Sequence, residues 1–355
     1  MRFTPTPRMR GLSLIDLMVG LSIGMVATLV ILNVIVMFDA RRRATAASSD
    51  AQVNAVFAAS MLSRELRIAG HGLGPPSGFG CSVHRAAAGT AAATFVLAPA
   101  VITDGSNGAP DTLTVLAAGE QALPPSRLIS PYTMDSGALT LDSTLGVVPD
   151  TQLLLQSAGS SDCALLSVAT VSTGAYTVQP KAASGVLPGT VFGTDSPVVN
   201  VGTLAYRRYG VDATQRLRAE SFDAASGSWL ASTLAEGVVN LQLQYGFDAR
   251  AGAQATPQVT RWSDAMIDAD GNGKAGNPGD WQRMLAVRFA VVTRSAQRKD
   301  EACDAQAPTW MAGSAGTGEL EPTTIKVDHL ADWRCWRYRV LQTEVALRNQ
   351  LWSDP

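Results

Sequence analysis

The sequence predicts an α+β protein in which one long N-terminal helix precedes a large antiparallel, β-rich region. Two observations support this prediction. No proline occurs between Gly11 and Gly70, and the first half of that stretch is almost wholly apolar. After it, short runs of β-branched, leucine and aromatic residues alternate with glycine, proline, asparagine and aspartate, a pattern typical of strands and turns.

The apolar run extends from Leu12 to Phe38 and contains one charged residue, Asp16. A helix that crosses a membrane needs about 20 mostly apolar residues, so this run is long enough. A secretory signal has an apolar core of roughly 7–15 residues and a small-residue cleavage site behind it, and neither feature fits here. A plain signal anchor stays open as the simpler alternative. A charged residue in a spanning segment is costly and indicates a function for Asp16.

We expect the helix to continue beyond the apolar run. Apolar residues recur at roughly helical spacing as far as Leu66, and the glycine-rich stretch that begins at Gly70 predicts its end. The rod would be roughly 80 Å long, and its second half should pack against the body.

Arginines lie on both sides of the apolar run. The leader carries Arg2, Arg8 and Arg10, which favours a cytoplasmic N-terminus, whereas Arg41–Arg43 on the far side favour the opposite orientation. The charge rule alone therefore does not decide the topology.

The remaining chain predicts a strand-rich body. We divide the chain into a leader (1–11), a helix (12–70) and a body (71–355), with a candidate break between two subdomains near residue 200. Strands are expected at Ala93–Val101, Thr112–Ala117, Leu139–Leu141, Gln152–Leu155, Leu165–Ser172, Tyr176–Val178, Val198–Tyr209, Leu241–Phe247, Arg283–Arg294 and Trp336–Leu347.

Four cysteines occur, namely Cys81, Cys163, Cys303 and Cys335. None forms a C-x-x-C pair, which argues against zinc or thioredoxin-like chemistry. An even number in an exported chain favours disulfides, and four cysteines allow three pairings. We prefer Cys81–Cys163 with Cys303–Cys335, because each then closes a loop within one region, but the sequence leaves the other pairings open.

An acidic turn at residues 268–274 is a candidate calcium loop. Asp268, Asp270 and Asn272 offer side-chain oxygens at alternate positions, and Lys274 would contribute its backbone carbonyl. An EF-hand requires a glutamate at position 12, where Gly279 stands, so the pattern is not an EF-hand. The alternative is a polar hairpin turn. A site that lacks one acidic ligand would bind calcium weakly, with Kd on the order of 10⁻⁴–10⁻³ M.

Composition and motifs argue against several function classes. Charged residues make up 16% of the chain, below the usual ~25%, and the net charge is −2, so nucleic-acid binding has no electrostatic basis. The three histidines form no metalloprotease frame, and no nucleophile elbow, phosphate loop or dinucleotide fingerprint is present. We therefore expect a protein that is not an enzyme and requires no cofactor.

The N-terminal motif RGLSLIDLMVGLSIG (Arg10–Gly24) resembles the class III signal of type IV pilins. The resemblance implies that prepilin peptidase cuts between Gly11 and Leu12 and that Leu12 is then methylated. It also implies that Asp16, the acidic fifth mature residue, pairs with the N-terminal amine of a neighbouring subunit. Leucine replaces the usual phenylalanine at the first mature position, and aspartate replaces the usual glutamate.

Within the apolar run, Gly20 and Gly24 form a small-xxx-small pair, a recurrent motif at contacts between membrane helices. Glycine is also common in membrane helices generally, so the pair is either a helix-contact motif or a feature without a specific role. We include both glycines among the candidate assembly residues.

Four further blocks extend the resemblance to the PilW family of minor pilins and assembly proteins. They are SRELRIAGHG (Ser63–Gly72), GAPDTLTVL (Gly108–Leu116), WQRMLAVRFAVVTRS (Trp281–Ser295) and YRVLQTEVALRNQLW (Tyr338–Trp352). The family implies a pilin-like protein with a single-pass helix in the inner membrane, a periplasmic body and a later place in the pilus. Its implied role is in a minor-pilin complex that primes assembly or sits at the tip.

The implied partners are other minor and major pilins, prepilin peptidase, the inner-membrane assembly machinery and membrane lipid, with no nucleic acid. The main alternative is a type II secretion pseudopilin, which shares the signal and the α+β plan. A signal-anchored periplasmic enzyme or binding protein is the alternative from another class.

Overall fold

The computed structural model describes residues 14–85, 93–119, 123, 125–133, 137–156, 161–181, 190–223, 227–252, 256–296, 303–314 and 318–351. Its helices are α1 (Leu14–Ile68), α2 (Pro278–Gln282) and α3 (Arg348–Leu351), with 3₁₀ turns at Pro76–Gly78, Ser106–Gly108 and Trp333–Cys335. One long N-terminal helix thus precedes a large sheet-rich region, which confirms the α+β prediction.

The strands of the described residues follow in chain order: β1 (Ser82–Arg85), β2 (Ala93–Val96), β3 (Ala100–Thr103), β4 (Thr112–Ala117), β5 (Ser126–Arg127), β6 (Tyr132–Thr133), β7 (Leu139–Thr140), β8 (Gln152–Leu155), β9 (Asp162–Ser172), β10 (Thr177–Pro180), β11 (Val191–Phe192), β12 (Pro197–Gly202), β13 (Ala205–Val211), β14 (Arg216–Asp223), β15 (Ser228–Glu236), β16 (Val238–Phe247), β17 (Arg261–Ser263), β18 (Met284–Arg294), β19 (Thr309–Gly313), β20 (Leu320–Thr324) and β21 (Tyr338–Ala346).

Helix α1 comprises 55 residues, which corresponds to a rod of about 82 Å at about 1.5 Å per residue. It ends where Gly70 adopts a positive φ of 78°, a conformation that glycine tolerates best. The Gly70 amide donates to the Leu116 carbonyl at 2.8 Å, which joins the helix end to β4. A Cβ on Gly70 would lie 3.0 Å from Cγ of Pro99, so the close approach of that loop also favours glycine.

The described strands form three main sheets and two small two-stranded sheets. The first sheet has the order β2-β1-β9-β8-β12-β5, with β10 paired to β9 and β7. The second has the order β15-β14-β13-β4-β3, and the third has the order β17-β16-β18-β21. Strands β6 and β11, which are far apart in the chain, form one of the small sheets, and β19 and β20 form a hairpin. Pairing is antiparallel except between β1 and β9, which run parallel.

Three hydrophobic clusters fill the body. The largest joins the second half of α1 to all three main sheets and includes Leu62, Leu66 and Phe289, none of which is exposed. A separate cluster draws only on residues 128–198, and a third lies between the third sheet and the β19–β20 hairpin. Because β4 pairs with β13, the second sheet joins segments from both sides of residue 200. The candidate break near residue 200 stays a prediction.

Two expected strands are wrong as single elements. Ala93–Val101 divides into β2 and β3, and Pro99, which has no backbone N–H to donate, lies just before β3. Val198–Tyr209 divides into β12 and β13, which belong to different sheets. The break falls at Leu204, whose amide donates to the side-chain oxygen Oε1 of Gln152 at 2.8 Å instead of to a backbone carbonyl of a paired strand.

Candidate functional site

The first half of α1 is a bare apolar surface. Every residue from Leu14 to Phe38 is exposed, and the segment is long and apolar enough to cross a membrane. Its hydroxyls bond within the helix, as Ser22 donates to the Met18 carbonyl at 2.8 Å and Thr28 to the Gly24 carbonyl at 2.7 Å. Such bonds leave few polar groups for an apolar environment to desolvate. The surface is therefore compatible with a single-pass membrane anchor.

The three candidate assembly residues in this half lie on the exposed helix. Asp16 is in the first turn of α1, where a negative charge is favourable near the N-terminus. Outside the local helix, no described atom lies within 4 Å of a Cβ placed on Gly20 or Gly24, so no contact among the described residues requires glycine at either position. Gly11 and Leu12, the predicted processing residues, lie outside the described residues.

The second half of α1 buries one face against the body. Small residues at helical spacing let the strands of the third sheet approach the helix closely, and leucines continue the stripe toward the helix end. Thr293 of β18 donates its hydroxyl to the Ala51 carbonyl at 2.8 Å, which fixes this approach. The stripe consists of Ala47, Ala51, Ala55, Ala58, Ala59, Leu62, Leu66 and Ala69.

Polar contacts also hold the second half of α1 to the body. Arg207 of β13 donates to the carboxylate of the buried Glu65 at 2.8 Å. Burial, with the neighbouring Glu65 charge, raises the pKa of Tyr209 well above its usual range. Asn54 donates to the Glu236 carbonyl at 3.1 Å, and Asn349 donates to the Ala69 carbonyl at 2.9 Å. The orientation of the body on α1 therefore rests on several independent contacts.

Two disulfides hold the body. Cys81–Cys163 joins the parallel strands β1 and β9, and its Cα atoms are 5.8 Å apart. Cys303–Cys335 joins the segment before β19 to the 3₁₀ turn before β21, with 4.2 Å between the Cα atoms. The structure thus forms the pairing that we preferred from the sequence.

The acidic turn brings Asp268 and Asp270 together with a third acid. The carboxylate oxygens of these two residues and of Asp280 lie within 4.8 Å of one another. Asp280 is fully buried, and it accepts the Ala269 amide at 2.6 Å and the Asp270 amide at 3.1 Å. The sequence did not assign Asp280 a role. It lies one residue beyond EF-hand position 12, and extending the search by one residue would have included it.

The other predicted ligands take part in the turn itself. Oδ1 of Asn272 accepts the Lys274 amide at 2.9 Å, and the Lys274 carbonyl accepts Nδ2 of Asn277 at 2.7 Å. The Gly273 amide, with two further backbone amides, lowers the pKa of Asp268, which therefore stays a carboxylate at neutral pH. Calcium would have to share these oxygens with the hydrogen bonds of the turn.

Together, a bare apolar helix and a sheet-rich body docked on its distal half define a pilin-like α+β protein. A family model described as Type IV Pilus-assembly protein W, PilW, matches residues 204–349. The match covers 146 of the 355 residues, which is less than half of the chain. It supports assignment to the PilW family, as the sequence blocks indicated, and indicates involvement in type IV pilus assembly. PilW is an assembly family, not a known enzyme family. No curated protein and no solved structure matches the chain.

The matched residues include the surface that receives α1. They run from just before β13 through β21, and so contain β18 and β21, the strands that pack against the helix. They also contain the acidic turn and the Cys303–Cys335 disulfide. The pilin-like signal at the N-terminus lies outside the match and is an independent indication of the same class.

Proposed function

We propose that this chain is a minor pilin that joins other pilins in a priming or tip complex of the type IV pilus. The observation that supports this most is the contrast within α1, because a surface of 25 exposed residues from Leu14 to Phe38 requires an apolar environment that the described residues do not supply. The bilayer would provide it before assembly, and neighbouring helices would provide it in the filament.

Helix packing is the proposed mechanism. The first half of α1 leaves the inner membrane for a bundle of pilin helices, while the periplasmic body keeps its fixed position on the second half. Gly20 and Gly24 would allow a neighbouring helix to approach closely. Asp16 would fix the register between subunits, because a carboxylate in an apolar environment strongly favours a cationic partner such as an N-terminal amine.

Intact-mass and N-terminal analysis of the protein from its native membrane tests the processing step. We expect a mass that lacks residues 1–11 and a methylated Leu12. Gly11→Asp places a charged group at the cut and should leave the leader attached. An intact Met1 in the wild type, or a mature Leu12 in Gly11→Asp, would contradict the assignment.

Asp16 is tested separately by purifying pili from cells that express its variants. Asp16→Ala should insert in the membrane but enter pili poorly, whereas Asp16→Glu should restore incorporation. Asp39→Ala, which removes the other exposed acid near the apolar segment, is the matched control and should be incorporated normally. Normal incorporation of Asp16→Ala would refute the register role, and a defect in protein secretion without a pilus defect would favour a pseudopilin.

A calcium site at Asp268, Asp270, Asn272 and Lys274 stays a prediction of the sequence. The convergence of Asp268, Asp270 and Asp280 supports it, and the hydrogen bonds that already occupy their oxygens oppose it.

A further inference from the structure

Strand β21 runs alongside the second half of α1, and two contacts fix its direction. At one end Arg339 donates to the hydroxyl of Ser48 at 2.8 Å, and beyond the other end Asn349 donates to the Ala69 carbonyl at 2.9 Å. Residues 339 to 349 span up to about 33 Å if extended, and residues 48 to 69 of the helix span about 32 Å. The start of β21 therefore points toward the bare apolar half of α1.

The segment just before and at the start of β21, Trp333–Arg339, is rich in arginine and aromatic residues. It reads WRCWRYR, and its three arginines, Arg334, Arg337 and Arg339, are exposed. The Arg334 guanidinium lies 5.1 Å from the ring centroid of Trp333, and the Arg294 guanidinium lies 4.0 Å from that of Trp336. The Tyr338 hydroxyl donates to the Trp333 carbonyl at 2.6 Å, and the Cys303–Cys335 disulfide fixes the turn. The body thus ends in a rigid basic and aromatic surface.

Arg41–Arg43 lie on α1 between this surface and the apolar half. All three are exposed. Consecutive residues of a helix point about 100° apart, so three in a row surround more than half of the helix. A folded partner protein contacts one face of a helix, whereas lipid headgroups surround it. The arrangement therefore favours a lipid surface as the partner.

The spacing along α1 matches the headgroup layer. The apolar residues from Leu14 to Phe38 span about 37 Å, enough to cross a hydrocarbon core of about 30 Å. Arg41–Arg43 follow within about 5–8 Å of Phe38, and the headgroup region is about 5–8 Å thick on each side. Arg337 precedes Arg339 by two strand residues, or about 7 Å, which brings it close to the level of Arg43.

Among the described residues, no acid neutralises these arginines. None of Arg41–Arg43, Arg334, Arg337 and Arg339 forms an ion pair with a described acid. Arg43 donates to the backbone carbonyl of Asp39, and Arg339 donates to Ser48. Aspartates also occur at this end, including Asp39 and Asp332, but the guanidinium groups remain available to external anions.

We propose that Arg41–Arg43 and Trp333–Arg339 form a collar that binds the phosphate groups of anionic lipids on the side of the membrane that faces the body. The proposal rests on the proposed membrane anchoring. Arginine suits this role because its fork of N–H groups binds phosphate, and tryptophan and tyrosine favour the membrane interface. The collar also gives Arg41–Arg43 a role that the charge rule leaves unexplained.

The collar would matter most after processing. Removal of residues 1–11 takes away Arg2, Arg8 and Arg10, so the collar becomes the main positive charge next to the spanning segment. Each arginine close to an anionic surface strengthens membrane attachment roughly five-fold. Anionic lipid would therefore hold the subunit in the membrane until assembly withdraws it.

The test uses the full chain in nanodiscs of phosphatidylcholine, with or without added phosphatidylglycerol, and a lipid that carries a quencher near the headgroup. The double variant Trp333→Phe/Trp336→Phe lacks the two tryptophans of the collar. The difference in tryptophan quenching between the wild type and this variant therefore reports on the collar. We expect this difference to rise with phosphatidylglycerol and to fall at high salt. The variant Arg334→Gln/Arg337→Gln/Arg339→Gln should lose the dependence on lipid charge.

The matched control is Arg64→Gln/Arg67→Gln/Arg348→Gln, which removes three exposed arginines at the opposite end of α1 and β21 and should behave as wild type. Equal quenching with and without phosphatidylglycerol would overturn the collar proposal but not the membrane anchor. The same would follow if the control variant lost the dependence on lipid charge to the same extent. A chain that does not insert into nanodiscs would overturn the anchor and the collar with it. Loss of quenching on addition of inorganic phosphate would identify a site for free anions and contradict a headgroup collar.

Discussion

The two halves of α1 share one continuous helix but differ completely in what surrounds them. From Leu14 to Phe38 apolar residues cover every side of the helix, and none is buried. From Ala47 to Ala69 the buried residues form one stripe, which consists of alanine and leucine with Glu65. The other sides are exposed or partly exposed and are mostly polar, although they include the exposed apolar residues Val53, Val56 and Phe57. A helix that is apolar all round needs an apolar environment, whereas a striped helix needs a single packed neighbour. The sequence pattern thus separates the part that anchors from the part that orients the body.

Leu62→Ala should show the largest difference between the halves. Leu62 is fully buried, so the change should lower the free energy of unfolding of the body by about 2–5 kcal/mol. The matched control, Leu29→Ala, alters an exposed leucine of the anchor and should change that free energy by less than about 0.5 kcal/mol. Denaturant unfolding of the full chain in detergent, followed by tryptophan fluorescence, measures both. Equal losses would show that the anchor half also packs on the body.

Glu65→Ala should have the next largest effect on the buried half. The change removes the carboxylate that accepts from Arg207 and leaves that arginine without its partner. Because the Arg207 side chain is 37% exposed, water replaces part of the lost contact, and we expect a loss of about 1–2 kcal/mol rather than the larger cost of a fully buried pair.

The control for Glu65 is Glu220→Ala, which breaks the more exposed pair with Arg208 and should cost less than about 1 kcal/mol. Glu65→Gln should recover part of the loss, because its amide oxygen can still accept from Arg207. A Glu65→Ala variant as stable as Glu220→Ala would mean that this ion pair does not help to hold the body on α1.

Gly24→Ile should have the opposite effect to Leu62→Ala: it should weaken association of the anchor half with other chains and leave the stability of the body unchanged. The unfolding free energy of the body should not change, because Gly24 lies on the exposed anchor and no described atom outside the local helix lies within 4 Å of a Cβ placed there. Association between chains in the membrane should weaken if a neighbouring helix approaches at this glycine, because the bulkier side chain prevents close contact of the two backbones. Cross-linking in native membranes measures this, with Val26→Ile on another side of the helix as the control. Unchanged cross-linking in Gly24→Ile would leave the glycine with no role in assembly.

The sequence predicts local elements better than their arrangement. The bounds of β4 and β8 agree with the expected strands, and α1 ends within two residues of Gly70, because propensity and turn residues act locally. The parallel pairing of β1 with β9 depends on contacts between distant segments, which no local pattern encodes. Strand β15 was not expected, because it is an exposed edge strand without regular apolar alternation.

The candidate site shows the same division. Asp16, Gly20 and Gly24 are recognisable because the apolar run around them is continuous. The collar is not recognisable from the sequence, because Trp333–Arg339 comes close to the anchor only through the packing of β21 along α1. Arg339 and Ser48, which are in contact there, lie nearly 300 residues apart in the chain. Asp280 joins the acidic turn only because it caps α2 and is buried there.

The acidic turn lies outside α1, and its response to calcium should be the smallest effect. If Kd is about 10⁻⁴–10⁻³ M, calcium at ten times Kd should stabilise the body by about 1.4 kcal/mol, and this should apply equally to Leu62→Ala and Leu29→Ala. Thermal unfolding with calcium or with a chelator measures this stabilisation.

Asp268→Asn should abolish the response to calcium. Its melting temperature in the presence of the chelator should change little, because Asp268 is exposed. Asp280→Asn should lower stability in both conditions, because Asp280 is buried and holds the turn. Identical melting of the wild type in calcium and chelator would leave these aspartates with a purely structural role.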